Sequence, residues 1–303
     1  MAQVGTGKYT YELIPDFFKS PDGEPFGLIS RVAADAQDHI YVFQRRDPPV
    51  VVFDRDGKYL GAWGSGEVTD PHGLKIVGDT VYTTDRSDSV AKSFTLDGKP
   101  LMELGQRGVH SDTGSITNWL AERAAGPFNH PTEMLPHPNG DIYVTDGHGG
   151  ASNDRIMKYS KEGNFITTWG KRGKGPGEFD GLHAVALDSA GRVYVGDRTN
   201  GRIQVFDGDG KFIAEWKQFG RPSGIAIDKN DTIYVADTQS NERNNPGFKQ
   251  GIRIGSVKDG KVAAFIPEPS TEMGAPEGIG VDDAGTVYAG WTGKMNFRRF
   301  VKQ

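Results

Sequence analysis

Short hydrophobic runs separated by polar turns fill the whole chain, and one run recurs six times. It consists of a β-branched residue, a tyrosine and a small or β-branched residue. The six copies are Ile40-Tyr41-Val42, Val81-Tyr82-Thr83, Ile142-Tyr143-Val144, Val193-Tyr194-Val195, Ile233-Tyr234-Val235 and Val287-Tyr288-Ala289. β-Branched and aromatic residues are enriched in strands. The pattern predicts six copies of one strand, each preceded by a turn.

Three more strands accompany each copy. One precedes it, as in 224–228, and one follows it, as in 202–206. A fourth begins at an Asp-Gly or Glu-Gly turn, as in 163–166, which is typical hairpin chemistry. Four strands per unit at spacings of about 40 to 60 residues predict an all-β fold, a six-bladed β-propeller of NHL type formed by residues 1–303 as a single domain.

The two ends of the chain complement each other. The last unit stops at Gln303 without a fourth strand, while residues 7–13 resemble the fourth strand at 210–216. We therefore expect the N-terminal strand to complete the last blade and close the ring. Residues 106–126 form an insertion, and their sequence predicts a short helix at 115–123, capped by Ser115.

Composition narrows the functional classes. The 303 residues include no cysteine, which excludes disulfides and thiolate ligands. A net charge of −5 without a basic cluster argues against a nucleic-acid partner. No apolar run reaches the roughly 18–20 residues of a membrane span. The first eight residues show no secretion signal, so a cytoplasmic location is expected.

The first strand of each blade lines the axis of a propeller, and its entrance position carries candidate ligands. The six equivalent residues are Ser30, His72, Thr132, His183, Ser223 and Glu277. His72, His183 and Glu277 fall on alternate blades, which lie about 120° apart in a six-bladed ring. Two imidazoles and a carboxylate suit a divalent transition metal with open coordination positions. The alternative is that they bond to each other and to water.

Further polar residues are predicted at the same end. His130 and His148 stand in loops beside the hub positions, and Arg45, Arg86 and Arg198 follow the second strands. An arginine near a metal can bind a substrate carboxylate or stabilise developing negative charge. A salt bridge to an aspartate of a neighbouring blade is the simpler expectation for Arg86.

Several motifs resemble one family of propellers. They are Asp70-Pro71-His72-Gly73-Leu74, Pro176-Gly177-Glu178-Phe179 followed by His183, and the segment 197–206. With these residues the chain resembles NHL-repeat propellers, in particular the peptidyl-α-hydroxyglycine α-amidating lyases. The resemblance covers essentially all six blades.

The resemblance implies specific roles. In that family three hub histidines hold zinc, and an arginine and a tyrosine flank a carbinolamide whose C–N bond is cleaved. His72 and His183 match two of the ligands, and Glu277 replaces the third. Arg45 matches the catalytic arginine, and His148 falls near the tyrosine.

These observations predict a metal-dependent lyase that cleaves a C–N or C–O bond in a small molecule. Zinc is the expected ion, with manganese, iron and nickel as alternatives. Gly278 replaces an aspartate of the family's calcium site, so structural calcium is not expected. His148 is the first candidate for general acid or base because an imidazole titrates near neutral pH. His130 and Glu133 are the reserve candidates.

Three other functions fit the same sequence. Metal-bound water could hydrolyse or hydrate a lactone or an amide. Two histidines and a carboxylate are also the ligands of non-haem iron oxygenases. A non-enzymatic propeller would instead be a scaffold for a protein partner.

Overall fold

The computed structural model describes residues 2–15, 17–111, 128–149, 153–268, 276–291 and 297–303. Within them the secondary structure consists of 25 strands in six antiparallel sheets, without a helix. Five sheets have four strands and one has five. This is the six-bladed β-propeller that the sequence predicts, with one sheet per blade. The helix predicted at 115–123 lies outside the described residues.

The strands belong to two compact units of three blades each, Val68–Lys217 and Met1–Glu67 with Gln218–Gln303. Residues 1–67 contain β1 (Ala2–Thr6), β2 (Tyr9–Pro15), β3 (Ile29–Ala34), β4 (Ile40–Gln44), β5 (Val50–Phe53) and β6 (Tyr59–Trp63). Residues 68–217 contain β7 (Pro71–Val77), β8 (Thr80–Asp85), β9 (Val90–Thr95), β10 (Pro100–Gly105), β11 (Pro131–Pro136), β12 (Ile142–Asp146), β13 (Arg155–Tyr159), β14 (Phe165–Trp169), β15 (Leu182–Leu187), β16 (Val193–Asp197), β17 (Arg202–Phe206) and β18 (Phe212–Trp216). Residues 218–303 contain β19 (Pro222–Ile227), β20 (Thr232–Asp237), β21 (Gly251–Ser256), β22 (Val262–Pro267), β23 (Pro276–Val281), β24 (Val287–Trp291) and β25 (Phe297–Lys302). That residues 1–303 form a single domain stays a prediction.

Among the described residues, no helix has the length and apolar character that crossing a bilayer requires.

In four of the six blades an aspartate in the preceding turn accepts a hydrogen bond from the recurring tyrosine. Asp188 Oδ1 accepts the backbone N–H groups of Ala190 and Arg192, at 3.0 and 2.9 Å. Its Oδ2 accepts the Tyr194 hydroxyl at 2.9 Å. The same pairing recurs in Asp35–Tyr41, Asp228–Tyr234 and Asp282–Tyr288. One carboxylate thus closes the turn and anchors the buried second strand, which explains why both residues repeat along the chain.

The N-terminus completes the last blade, as predicted. β2 pairs antiparallel with β25, with Tyr11 opposite Lys302 and Leu13 opposite Phe300. Tyr11 is fully buried, in a cluster with Trp291 and Phe300. β1 adds a fifth strand outside β2, which the sequence pattern did not predict.

Candidate functional site

Each first strand carries a β-bulge at the position that the sequence selects for the hub. Ser30, His72, Thr132, His183, Ser223 and Glu277 are each the second residue of their strand. The pairing register shifts across each of these positions. A bulge removes a residue from the regular ladder and redirects its side chain. The backbone therefore distinguishes these six side chains from their strand neighbours.

His72 is fixed by the neighbouring strand β11. Its Nδ1 lies 2.8 Å from the carbonyl oxygen of Thr132, which also accepts the Thr84 hydroxyl at 3.0 Å. The close approach depends on Gly73, because a Cβ there would stand 2.4 Å from the same carbonyl oxygen. The backbone N–H of Gly73 donates to Thr84 Oγ1 at 2.8 Å. The His-Gly pair of the sequence motif thus supplies both the imidazole and the space that orients it.

His183 lies beside His72 in the same unit. Both side chains are fully buried, and their ring centroids are 4.7 Å apart at an interplanar angle of 63°. The Nε2 atoms of both rings are buried as well. The first strands of the second and fourth blades thus bring two histidines together.

His148 joins this pair from the loop after β12. Its ring centroid lies 4.8 Å from that of His72 and 5.1 Å from that of His183. Its backbone N–H donates to the carbonyl oxygen of His130 at 3.0 Å, which holds the start of the loop. Potential ligand nitrogens of the three histidines lie within 4.8 Å of one another. The three-histidine group, His72, His148 and His183, can therefore hold one metal ion.

The protonation of His72 fits a ligand role. A carbonyl oxygen can only accept, so Nδ1 of His72 must carry the proton that it donates to Thr132. Its buried Nε2 then bears the lone pair in the neutral ring. Fixing the tautomer through the second ring nitrogen is the usual support of a metal-binding histidine. Three imidazoles leave a coordination position for water or substrate, as in catalytic zinc sites.

Two predicted site residues lie in the other compact unit. Glu277 is buried on β23, and Arg45 follows β4, where its backbone N–H donates to the Leu28 carbonyl at 2.9 Å. Neither belongs to the three-histidine group. The ligand set of His72, His183 and Glu277 and the catalytic role of Arg45 stay predictions.

His130 stands directly before β11 in a left-handed backbone conformation, with φ of 61°. Burial, together with the nearby positive charges of Arg86 and His110, lowers the pKa of its imidazole below the ordinary value. Arg86 itself is paired with an aspartate, as expected, but with Asp70 of its own blade rather than one of a neighbouring blade; its Nε and Nη2 are each 2.8 Å from Asp70 Oδ2. His130 is thus a neutral imidazole beside the loop that presents His148.

Glu133 connects three first strands. It is fully buried on β11, and its Oε2 accepts the backbone N–H of Val185 in β15 at 2.6 Å. Its Oε1 lies 3.6 Å from Nζ of Lys75 in β7. These contacts give Glu133 a structural role in the strands that carry His72 and His183.

The sequence predicts His148 at this end of the blade but does not predict that it belongs to the three-histidine group. The hub positions repeat from blade to blade, whereas the segment between β12 and β13 has no counterpart of equal length in the other blades. The available signal was Gly147-His148-Gly149, an imidazole between two glycines. Flanking glycines permit the backbone turns that bring a loop residue close to its neighbours.

Comparisons with known proteins agree with the fold. A family model described as a 6-bladed beta-propeller matches residues 133–217, and an NHL repeat model matches residues 219–244. A solved gluconolactonase from Xanthomonas campestris has a TM-score of 0.66 at 14% identity, covering 99% of this chain and 95% of that chain. At that identity the likeness shows the shared fold alone.

Two curated relatives extend the similarity to sequence. The chain is 35% identical over 206 residues to NHL repeat-containing protein 3 of Homo sapiens, covering 64% of this chain and 56% of that protein. It is 30% identical over 202 residues to a probable peptidyl-alpha-hydroxyglycine alpha-amidating lyase of Caenorhabditis elegans, covering 57% and 54%. The chain thus spans little more than half the length of either relative. It is an NHL-repeat six-bladed β-propeller that resembles the peptidyl-α-hydroxyglycine α-amidating lyases.

Proposed function

We propose that this protein is a metal-dependent lyase that cleaves a C–N or C–O bond in a small molecule. The observation that carries the proposal is the three-histidine group, with its buried nitrogens and the tautomer of His72 set by Thr132. Similarity to a relative named as an amidating lyase supports lyase chemistry. The substrate would carry a hydroxyl or a carbonyl group.

His72, His148 and His183 would hold the ion, with zinc favoured by three nitrogen donors. A bound divalent ion lowers the pKa of a hydroxyl or of a water molecule and polarises a carbonyl group. If His148 is a metal ligand, it is not free to act as the general acid or base, so another group must do so. The predicted Glu277 is the competing third ligand.

His130 is the proposed proton acceptor. Its lowered pKa keeps the imidazole neutral near pH 7, and a neutral imidazole accepts a proton rather than donating one. The His130 carbonyl oxygen also accepts the backbone N–H of His148, so the proposed base is hydrogen-bonded to a proposed ligand. Arg45 is proposed to stabilise negative charge that develops on the substrate, as the resemblance implies.

The test is the metal content of protein purified without chelator or nickel affinity resin. We expect about one ion per wild-type chain and none in the His72→Ala/His183→Ala variant. His148→Ala should lose metal and Glu277→Gln should keep it. His137→Ala is the matched control, because His137 bonds to Asn139 and to the Gly191 carbonyl in the same unit.

Each result decides between alternatives. Metal lost in Glu277→Gln but kept in His148→Ala would restore the ligand set predicted from the sequence. A wild-type protein that stays metal-free after reconstitution would overturn the proposal and favour a protein-binding scaffold. For a metal-containing protein, incubation with a peptidyl-α-hydroxyglycine and with gluconolactone separates lyase from hydrolase. Lactone opening alone would assign the hydrolase.

A further inference from the structure

The last turn residue before the third strand has the same backbone conformation in all three blades of Val68–Lys217. Ser89, Asp154 and Gly201 occupy this position with φ of 54°, 51° and 64°. The left-handed region is free of strain for glycine and strained for residues with a Cβ. Gly201 shows that the turn forms without a side chain. Ser89 and Asp154 therefore adopt a backbone conformation that costs energy, and we expect their side-chain contacts to offset that cost.

Both side chains bind the backbone ahead of the next blade's first strand. The N–H of His130, just before β11, donates to Ser89 Oγ at 3.4 Å. The N–H of Gly181, just before β15, donates to Asp154 Oδ1 at 2.8 Å. The two contacts are equivalent, but only the second leads to a strand that carries a member of the three-histidine group.

Asp154 is the last residue of the loop that carries His148, and it packs against the start of that loop. A Cβ on Gly147 would stand 2.9 Å from Asp154 Cα and 3.1 Å from its Oδ1, so the two ends of the loop are packed together. Asp154 is fully buried. One carboxyl group thus lies against the residue before His148 and bonds to the backbone two residues before His183.

We propose that Asp154 is a positioning residue that sets the His148 loop and the His183 strand relative to each other. The inference rests on the proposed metal centre, because Asp154 would act by fixing the distance between two of its ligands. Burial raises the pKa of Asp154 to about 8, so a neutral carboxyl group makes this contact near pH 7. Residues that hold metal ligands in place typically change metal affinity by about 10- to 100-fold when they are removed.

The test compares zinc affinity in two glycine variants at turn positions that share a left-handed backbone conformation. Asp154→Gly removes the carboxyl group and relieves the backbone, so the fold should survive while zinc affinity falls by about 10- to 100-fold. Asp231→Gly makes the same backbone change, at φ of 61° directly before β20 in the other compact unit, and should bind zinc like the wild type. Asp154→Asn keeps an acceptor for the Gly181 amide and should restore most of the affinity.

A second readout uses the metal-free protein. Hydrogen exchange in peptides containing His148 and His183 should accelerate in Asp154→Gly and stay unchanged in Asp231→Gly. Wild-type affinity and exchange in Asp154→Gly would overturn the inference while leaving the metal centre intact. A wild type that binds no zinc would overturn the metal centre, and unchanged exchange in Asp154→Gly would then remove the positioning role as well.

Discussion

At the scale of single residues, the site depends on how closely two strands approach. Gly73 lets β7 come near β11, where the Thr132 carbonyl meets both His72 and Thr84. A side chain at this position would collide with backbone, which cannot move as a flexible side chain can. The residue next to a proposed ligand is therefore as constrained as the ligand itself.

We predict that Gly73→Ala destabilises the protein by about 1–3 kcal/mol, the usual cost of overpacking a filled interior. The new methyl group would lie 2.4 Å from Thr132 O and 2.7 Å from Glu133 Cα. Gly61→Ala is the control, because a Cβ at this β6 position has no atom within 4 Å. Urea unfolding of both variants measures the difference. Equal stability of the two variants would show that the strands separate at little cost.

At the scale of elements, the repeat determined what the sequence could predict. The second strand recurs with its tyrosine in all six blades and with the turn aspartate in four, so the number of blades and the closing role of β2 follow from internal comparison. β1 has no counterpart in the other blades and was missed. The position of His148 depends on the fold of a single loop, for which the repeat offers no template. Internal repetition therefore predicts the strands that the blades share better than a site residue that occurs in only one blade.

The closing strand yields a prediction of its own. Tyr11 in β2 is fully buried with Trp291 and Phe300, so Tyr11→Ala should cost about 3–5 kcal/mol, as for other large aromatic deletions. Tyr59 begins the fourth strand of another blade and is 42% exposed, so Tyr59→Ala is the matched control with a much smaller loss. Chemical denaturation measures both. A small loss in Tyr11→Ala would mean that β2 contributes little to the stability of the last blade.

At the scale of the whole molecule, buried carboxyl groups link folding to pH. Burial raises the pKa values of Asp146, Asp154 and Asp197, and for Asp154 the value is about 8. An acid with a raised pKa binds its proton more tightly in the folded chain than in the unfolded chain. Its contribution to stability is therefore complete below the unfolded pKa of 3.8 and is lost as pH rises through the folded value.

Asp154→Asn separates this contribution from the other titrating groups. The amide resembles the protonated carboxyl group and does not titrate, so the free energy of unfolding of wild type minus variant should fall as pH rises from 5 to 8. The slope is at most about 1.4 kcal/mol per pH unit, the value for one proton. Urea unfolding in the presence of chelator keeps metal binding out of the comparison. A difference that is flat with pH would place the folded pKa of Asp154 near its ordinary value and show that its carboxylate is solvated or charge-paired in the folded protein.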